Sequence, residues 1–266
     1  MKDVLGQAIS DYYQGAATGK TPPGKKHSAA EKSTRGKTSR GAPSRRDRLW
    51  VHTSSTLGWP GDQRIHPREE MPVKIYFRSM EEMPELEWIA LQQCRGKILD
   101  IGAGAGSHAL ALQQLGQDVT ALEISPLASQ VIKARGVKKV LCEDVFRLTA
   151  REKYDTLLLM MNGIGLTGTL SGLRDFFRLS RALLHPGGHL IFDSSDIAYL
   201  YGGTPPPPPG YYGELLYRYE YRRQLSDPFN WLFIDRQTLA GITAAEGWQM
   251  ELLYEDGRDQ FLVKCW

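Results

Sequence analysis

No stretch of this 266-residue chain strings together 18 apolar residues, so no membrane-spanning helix is expected. The first residues, "MKDVLGQAISDYYQG", lack the apolar core of a secretory signal. Cysteine is scarce. Cys94, Cys142 and Cys265 are odd in number and far apart, which excludes a disulfide framework and suits a reducing compartment. Their spacing fits neither a zinc site nor an iron–sulfur cluster, so no metal is expected. These absences read as a cytoplasmic protein. Nor does either charge dominate: the formal net charge is +3. That balance hides a split, because Lys20 to Arg48 holds ten Lys/Arg against Glu31 and Asp47. The segment therefore carries +8 and the remainder −5. A generally basic, nucleic-acid-binding chain is excluded, and only the segment invites that idea.

Large apolar residues are nearly missing from about Gly15 to Arg48. Such a tract buries too little surface to offset its ordering entropy and is read as disordered. The chain thus divides into a short helix over 1–14, a basic and largely disordered or irregular insertion over 15–66, and a main domain over 67–266. Within the main domain, 199–234 reads as an antiparallel insertion or lid. "LWVHTSSTLGWP" has weak periodicity and stays unassigned. The run "PPPPP" at 205–209 is a stiff, extended spacer.

What is present is regular alternation. "MPELEWIALQQCRG" reads as a helix closed by Gly96. From Lys97 onward, "KILDIG", "DVTALEIS", "KKVLCEDV", "YDTLLLMMN" and "HLIFDSS" read as strands separated by helices. That pattern implies a doubly wound α/β fold, a mostly parallel sheet with helices on both faces. The tail departs from it. "LLYRYEYRRQ" alternates with period two, "SDPF" turns, and "NWLFID" returns. Asp235 is placed to cap a helix ending at Gly247. "WQMELLYEDGRDQFLVKCW" reads as a hairpin around Asp256-Gly257.

The chemistry-bearing stretch is "ILDIGAGAGSHA", residues 98–109. Gly102, Gly104 and Gly106 follow a strand and precede a helix, where glycines let backbone approach a ligand. Ala103 and Ala105 keep the loop small. The dinucleotide fingerprint wants a glycine at 107, and Ser107 stands there. Glu123 closes the second strand, where a carboxylate accepts both hydroxyls of a ribose or stands solvated at a strand end. Asp144 closes the third strand, placed to accept an exocyclic amino group, with Val145 on an adenine face, or to cap its own turn. Asp100 at the loop entrance suits a cationic ligand and opposes a pyrophosphate. Adenine, ribose and a positive charge together describe S-adenosylmethionine.

With "ILDIGAGAG", "VTALEIS", "CEDVFRL", "YDTLLLMMNGIG" and "LLHPGGHLIFDSSD", the chain resembles the class I S-adenosylmethionine-dependent methyltransferases. More narrowly it resembles stand-alone bacterial members of undefined substrate. The resemblance implies a seven-stranded sheet of order 3-2-1-4-5-7-6. It implies a cofactor-binding set of Asp100, Gly102, Ala103, Gly104, Gly106, Glu123, Ile124, Asp144, Val145 and Asn162. Of these, the glycines line the methionine and ribose, Glu123 the ribose hydroxyls, and Asp144 the adenine.

Transfer from a sulfonium needs alignment more than an acid or base, and no catalytic residue is evident. The candidates are His108, Asn162 and Asp193. Asn162 lies in "NGIG" at the mouth of the fourth strand and reads as a cofactor or substrate contact, or as a turn. His108 reads as a base, or as a packed histidine. Asp193 faces the pocket or caps "SSD". Arg78 is placed to meet the cofactor carboxylate from above. Tyr217, Tyr219 and Tyr221 share a strand face, read as ordinary packing or as an aromatic wall under a lid. The expected acceptor is a small molecule. One alternative is RNA or protein methylation with residues 15–48 as a basic arm. Another is a NAD-dependent oxidoreductase, which Ser107 opposes.

Overall fold

The computed structural model describes residues 2–17, 47–55, 68–149, 151–203 and 210–266. The basic tract as far as Arg46 and the proline run lie outside them, and with them the expectations made for those residues. The described elements are α1 (Val4–Ala17), β1 (Leu49–Ser55), β2 (Glu69–Met71), α2 (Glu85–Gln93), β3 (Lys97–Ile101), α3 (Ser107–Gln114) and β4 (Asp118–Leu122). Next come α4 (Pro126–Ala134), β5 (Lys139–Leu141), β6 (Tyr154–Leu159), α5 (Leu170–Leu183), β7 (Leu184–Ser195) and β8 (Glu214–Tyr221). The chain closes with β9 (Gln224–Leu225), β10 (Phe229–Leu232), α6 (Arg236–Ala245), β11 (Met250–Glu255) and β12 (Gln260–Cys265).

Seven strands form the main sheet in the order β5-β4-β3-β6-β7-β12-β11. Counted along the domain, this is the expected 3-2-1-4-5-7-6. The first five run parallel, and β12 lies antiparallel between β7 and β11. Buried runs such as Leu157, Leu158 and Leu159 of β6 are covered on both faces. Leu99, Leu157 and Phe192 pack against α5 and α6 through Phe176, Phe177, Leu239 and Ile242. Ile98, Leu158 and Ile191 pack against α2 and α3 through Leu86, Ala90, Ala109 and Leu112. Helix starts are set locally. Ser125 accepts from Ala128 N–H ahead of Pro126, and Asp235 caps α6 by accepting from Thr238 N–H.

A second sheet, β10-β8-β1-β2 with β9 beside β8, lies over one end of the first. It includes a strand in the stretch that the sequence left unassigned. Leu49–Ser55 is a strand paired with β8 from Leu49↔Tyr221 to Ser55↔Leu215. Only Leu49 and Val51 of this strand are buried, so its period-two signal spans two residues and is too short to read locally. Its longer pairing is with β8, a segment more than 150 residues later.

The second sheet is joined to the first where β6 ends. Met161 and Asn162 both take left-handed backbone (φ 63° and 55°), a sharp reversal uncommon for residues with a side chain. Asn162 Nδ2 donates to the carbonyl of Leu232 in β10 (3.2 Å). The indole of Trp231 lies so close to Gly165 that a Cβ there would stand 2.3 Å from it. Helix α1 closes the other flank. Val4, Ala8 and Ile9 are buried with Ala128 and Val131 of α4, and Asp3 accepts from Ser125 Oγ (2.7 Å). Tyr221 of β8 donates to Asp11 of α1 (3.2 Å). The carboxyl edge of the main sheet is thereby roofed from α4 across to β6.

Candidate active site

The glycine loop links β3 to α3 and is pinned to β4, with Gly102 N–H and Ala103 N–H both donating to Leu122 O (2.9 and 3.1 Å). All three glycines have positive φ (74°, 59° and 81°). Gly104 tolerates no Cβ, which would meet the Tyr76 ring at 2.9 Å. Gly102 is exposed, and a Cβ there would meet nothing within 4 Å. The loop therefore offers an open face at Gly102 and a covered one at Gly104.

Glu123 is buried beside this loop. Its Oε2 accepts from Gly104 N–H (2.8 Å) and its Oε1 from Ser125 N–H (2.9 Å). Burial pushes its carboxyl up to about 7, against the pull of those two bonds. Each carboxylate oxygen keeps a second lone pair, so the group still accepts from a ligand hydroxyl. Further along the edge, Ile124 is 63% exposed and Phe146 44% exposed. Asp144 is half-buried and caps its own turn by accepting from Phe146 N–H (3.0 Å), while Val145 beside it is buried. The capping role is therefore real, and it uses one carboxylate oxygen.

At the loop entrance sits a buried polar layer. Asp100 is 2% exposed and its Oδ2 has no partner. Burial pushes its carboxyl up to about 6, opposed by the charge of His108. His108 is itself buried and shares a hydrogen bond with Glu87 Oε2 (3.0 Å). Burial pulls its pKa down, but the Glu87 bond and the charges of Asp100 and Glu87 prevail and hold it above its usual value. The other oxygen of Glu87 pairs with Arg78. Asp193, 1% exposed, accepts from Asn162 N–H on both oxygens (3.0 and 2.9 Å) and from Gln260 Nε2 (3.2 Å). Burial pushes it up to about 6.

Residues 99–192 match a family model described as a methyltransferase domain. A solved S-adenosylmethionine-dependent methyltransferase from Bacteroides fragilis, in complex with S-adenosylhomocysteine, is 36% identical. The match covers 100% of this chain and 94% of that one, with a TM-score of 0.78. The chain belongs to the S-adenosylmethionine-dependent methyltransferases. CcbJ methyltransferase from Streptomyces caelestis (14% identical, 70% of this chain, 93% of that one, TM-score 0.54) shares the fold. So does a methyltransferase from Clostridium acetobutylicum (13%, 70% and 92%, TM-score 0.51). No curated protein matches.

This methyltransferase uses S-adenosylmethionine, and its residues fit that cofactor. The unpartnered Oδ2 of buried Asp100 is an acceptor left for a cation, and the space over Gly102 admits one. The oxidoreductase alternative falls with this assignment. Among the described residues no cluster of metal-binding side chains occurs, and no helix is long and apolar enough to cross a membrane. All three cysteines are free thiols.

Of the catalytic candidates, His108 is tied to Glu87 on the α2 side of the sheet. Asn162 spends its amide on Leu232 and accepts from Ser194 Oγ (3.1 Å). Arg78, read as meeting the cofactor carboxylate, pairs with Glu87. Sequence reasoning missed Glu87, Tyr76 and Trp231. Glu87 had one available signal, since it lies three and four residues before the buried Ala90 and Leu91 of α2. Tyr76 and Trp231 had none, because both act across long chain separations.

The Asp193 environment yields a pH prediction. Its pKa is about 6 folded against 3.8 ordinarily. A group raised in this way contributes stability below its unfolded value and loses it as pH rises through its folded value. Asp193→Asn, which cannot ionise, escapes that loss. The melting temperature of the variant minus that of the parent is expected to rise steadily between about pH 4 and pH 7. A difference independent of pH would show that Asp193 ionises normally.

Proposed function

We propose that the protein methylates a small-molecule acceptor held between the two sheets. The observation that carries this reading is the roof itself. Where β6 ends, Trp231 is seated on Gly165 and Asn162 is bonded to β10. The second sheet thus covers the ground just past β6, which favours a small acceptor over a polymer. β8 and β10, with β1 and β2, act as the lid.

In this reading Glu123 holds the ribose hydroxyls. Ile124, Val145 and the free oxygen of Asp144 receive the adenine. Gly102, Ala103, Gly104 and Gly106 back the ribose and methionine, and Asp100 faces the positive charge. Bound S-adenosylmethionine supplies a methyl group already activated by its sulfonium. The protein contributes alignment and exclusion of water. Asn162 and Asp193 contribute by position, holding the β6 mouth and the lid in register.

Incubating the protein with methyl-labelled S-adenosylmethionine and size-fractionated cell extract tests this reading. Label is expected in the low-mass fraction. Label confined to RNA or protein would overturn it.

A further inference from the structure

We propose that the acceptor is an amine, bound as its ammonium ion against the aromatic inner face of the second sheet. This rests on the small-molecule reading above and narrows it.

The pairing of Phe229 with Tyr217 and of Trp231 with Leu215 puts Tyr217, Tyr219, Phe229 and Trp231 on one face. Trp231 lies nearly parallel to Tyr217 (5.9 Å, 14°), and Phe229 meets Tyr217 edge-on (6.1 Å, 67°). Tyr219 and Phe229 are 5.3 Å apart. None of the four is fully buried. They form a wall that keeps accessible ring surface, unlike the fully buried Phe176 and Phe177 of the core. The wall also stands in the right place. Adenosine partners follow β4 and β5, so the cofactor runs from there toward the switch point between β3 and β6. Trp231 stands against Gly165, just past β6.

Carboxylates act on the tyrosines of the wall and on their neighbours. Glu123 acts on Tyr76 and Tyr219, Glu69 on Tyr217 and Tyr199, and Asp259 on Tyr199. Asp196 accepts from Tyr212 (2.7 Å) behind it. Ring faces backed by carboxylates attract a cation and repel a phosphate. None of the tyrosines of the wall is a competent base. Burial first, and the acids second, hold Tyr76, Tyr217 and Tyr219 protonated, and His108 is committed to Glu87. A hydroxyl acceptor needs a base to take its proton in the transfer. A neutral amine does not. The ammonium gives up one proton to bulk solvent before transfer, and the lone pair of the neutral nitrogen then forms the C–N bond as the C–S bond breaks. The C–S electron pair stays on sulfur. The product leaves as the methylated ammonium.

Benzylamine and benzyl alcohol, alike in shape and different in charge at neutral pH, separate the possibilities. They are titrated calorimetrically into the full chain saturated with S-adenosylhomocysteine. Benzylamine is expected to bind about tenfold more tightly. Trp231→Leu should abolish that preference and Trp231→Phe should keep most of it, both with S-adenosylhomocysteine affinity unchanged. Equal binding of the two probes, or no binding of either, overturns the amine proposal. Neither result touches the small-molecule reading, which fails only if label enters a polymer.

Discussion

Glu123→Ala is expected to weaken S-adenosylhomocysteine binding at least a hundredfold. Two effects add. The carboxylate is placed to accept from a ribose, and charge-assisted hydrogen bonds contribute about 1.5–3 kcal/mol each. Its loss also strands Gly104 N–H and Ser125 N–H, which it holds at 2.8 and 2.9 Å. The first of these fixes the glycine loop directly, so the loop loses its shape along with its ligand partner. Glu123→Gln separates the contributions. An amide keeps one acceptor oxygen but turns an NH2 toward one of the two backbone donors, so its affinity should fall between parent and alanine. Calorimetric titration of the three proteins checks this. An unchanged dissociation constant for the alanine variant would remove Glu123 from the cofactor site.

Gly104→Val carries the second large effect, and it acts on folding as well as binding. Left-handed backbone costs a residue with a Cβ about 1–2 kcal/mol, and Gly104 sits at φ 59°. Valine also drives its Cβ into the Tyr76 ring, 2.9 Å away. Overpacking of this kind costs about 1–3 kcal/mol. Tyr76 is poorly placed to retreat, because its hydroxyl is 3.0 Å from Met71 Sδ and its ring packs with α1 and the second sheet. A fall in melting temperature of about 5–15 °C is expected, together with loss of measurable cofactor binding. Gly102→Ala is the control. It shares the left-handed strain (φ 74°) but meets no neighbour, so its melting temperature should fall by about half as much or less. Equal losses at the two positions would show that strain alone matters and that Tyr76 yields freely.

These variants mark the division between what is local and what is not. The amino-acid sequence by itself determined the main sheet and its cofactor edge. Each strand of that sheet is a short apolar run, and each loop residue follows its strand directly. Gly102 comes after β3, Glu123 after β4 and Asp144 three residues beyond Leu141, the last of β5. Strand polarity in a doubly wound sheet then gathers those positions at one end without further information. The terminal hairpin was legible for the same reason, since its turn and both strands are contiguous.

The roof was decided only by tertiary structure. β1 draws its partners from β8 and β2, and it carries just two buried residues. Isolated from those partners it has too little apolar surface to announce itself. The same holds for the residues that shape the cleft. Tyr76 matters because it rests on Gly104, Trp231 because it rests on Gly165, and Asp3 because it reaches Ser125. Each contact spans 28 or more residues, and none leaves a periodic trace. Asn162 shows the same limit from the other side. Its place in "NGIG" read as a ligand contact or a turn, and neither reading reached the bond by which its amide joins two sheets. Spacing along the chain encodes which residues share an edge. Which groups spend their hydrogen bonds on the protein, and which remain for a ligand, is fixed only when distant segments pack.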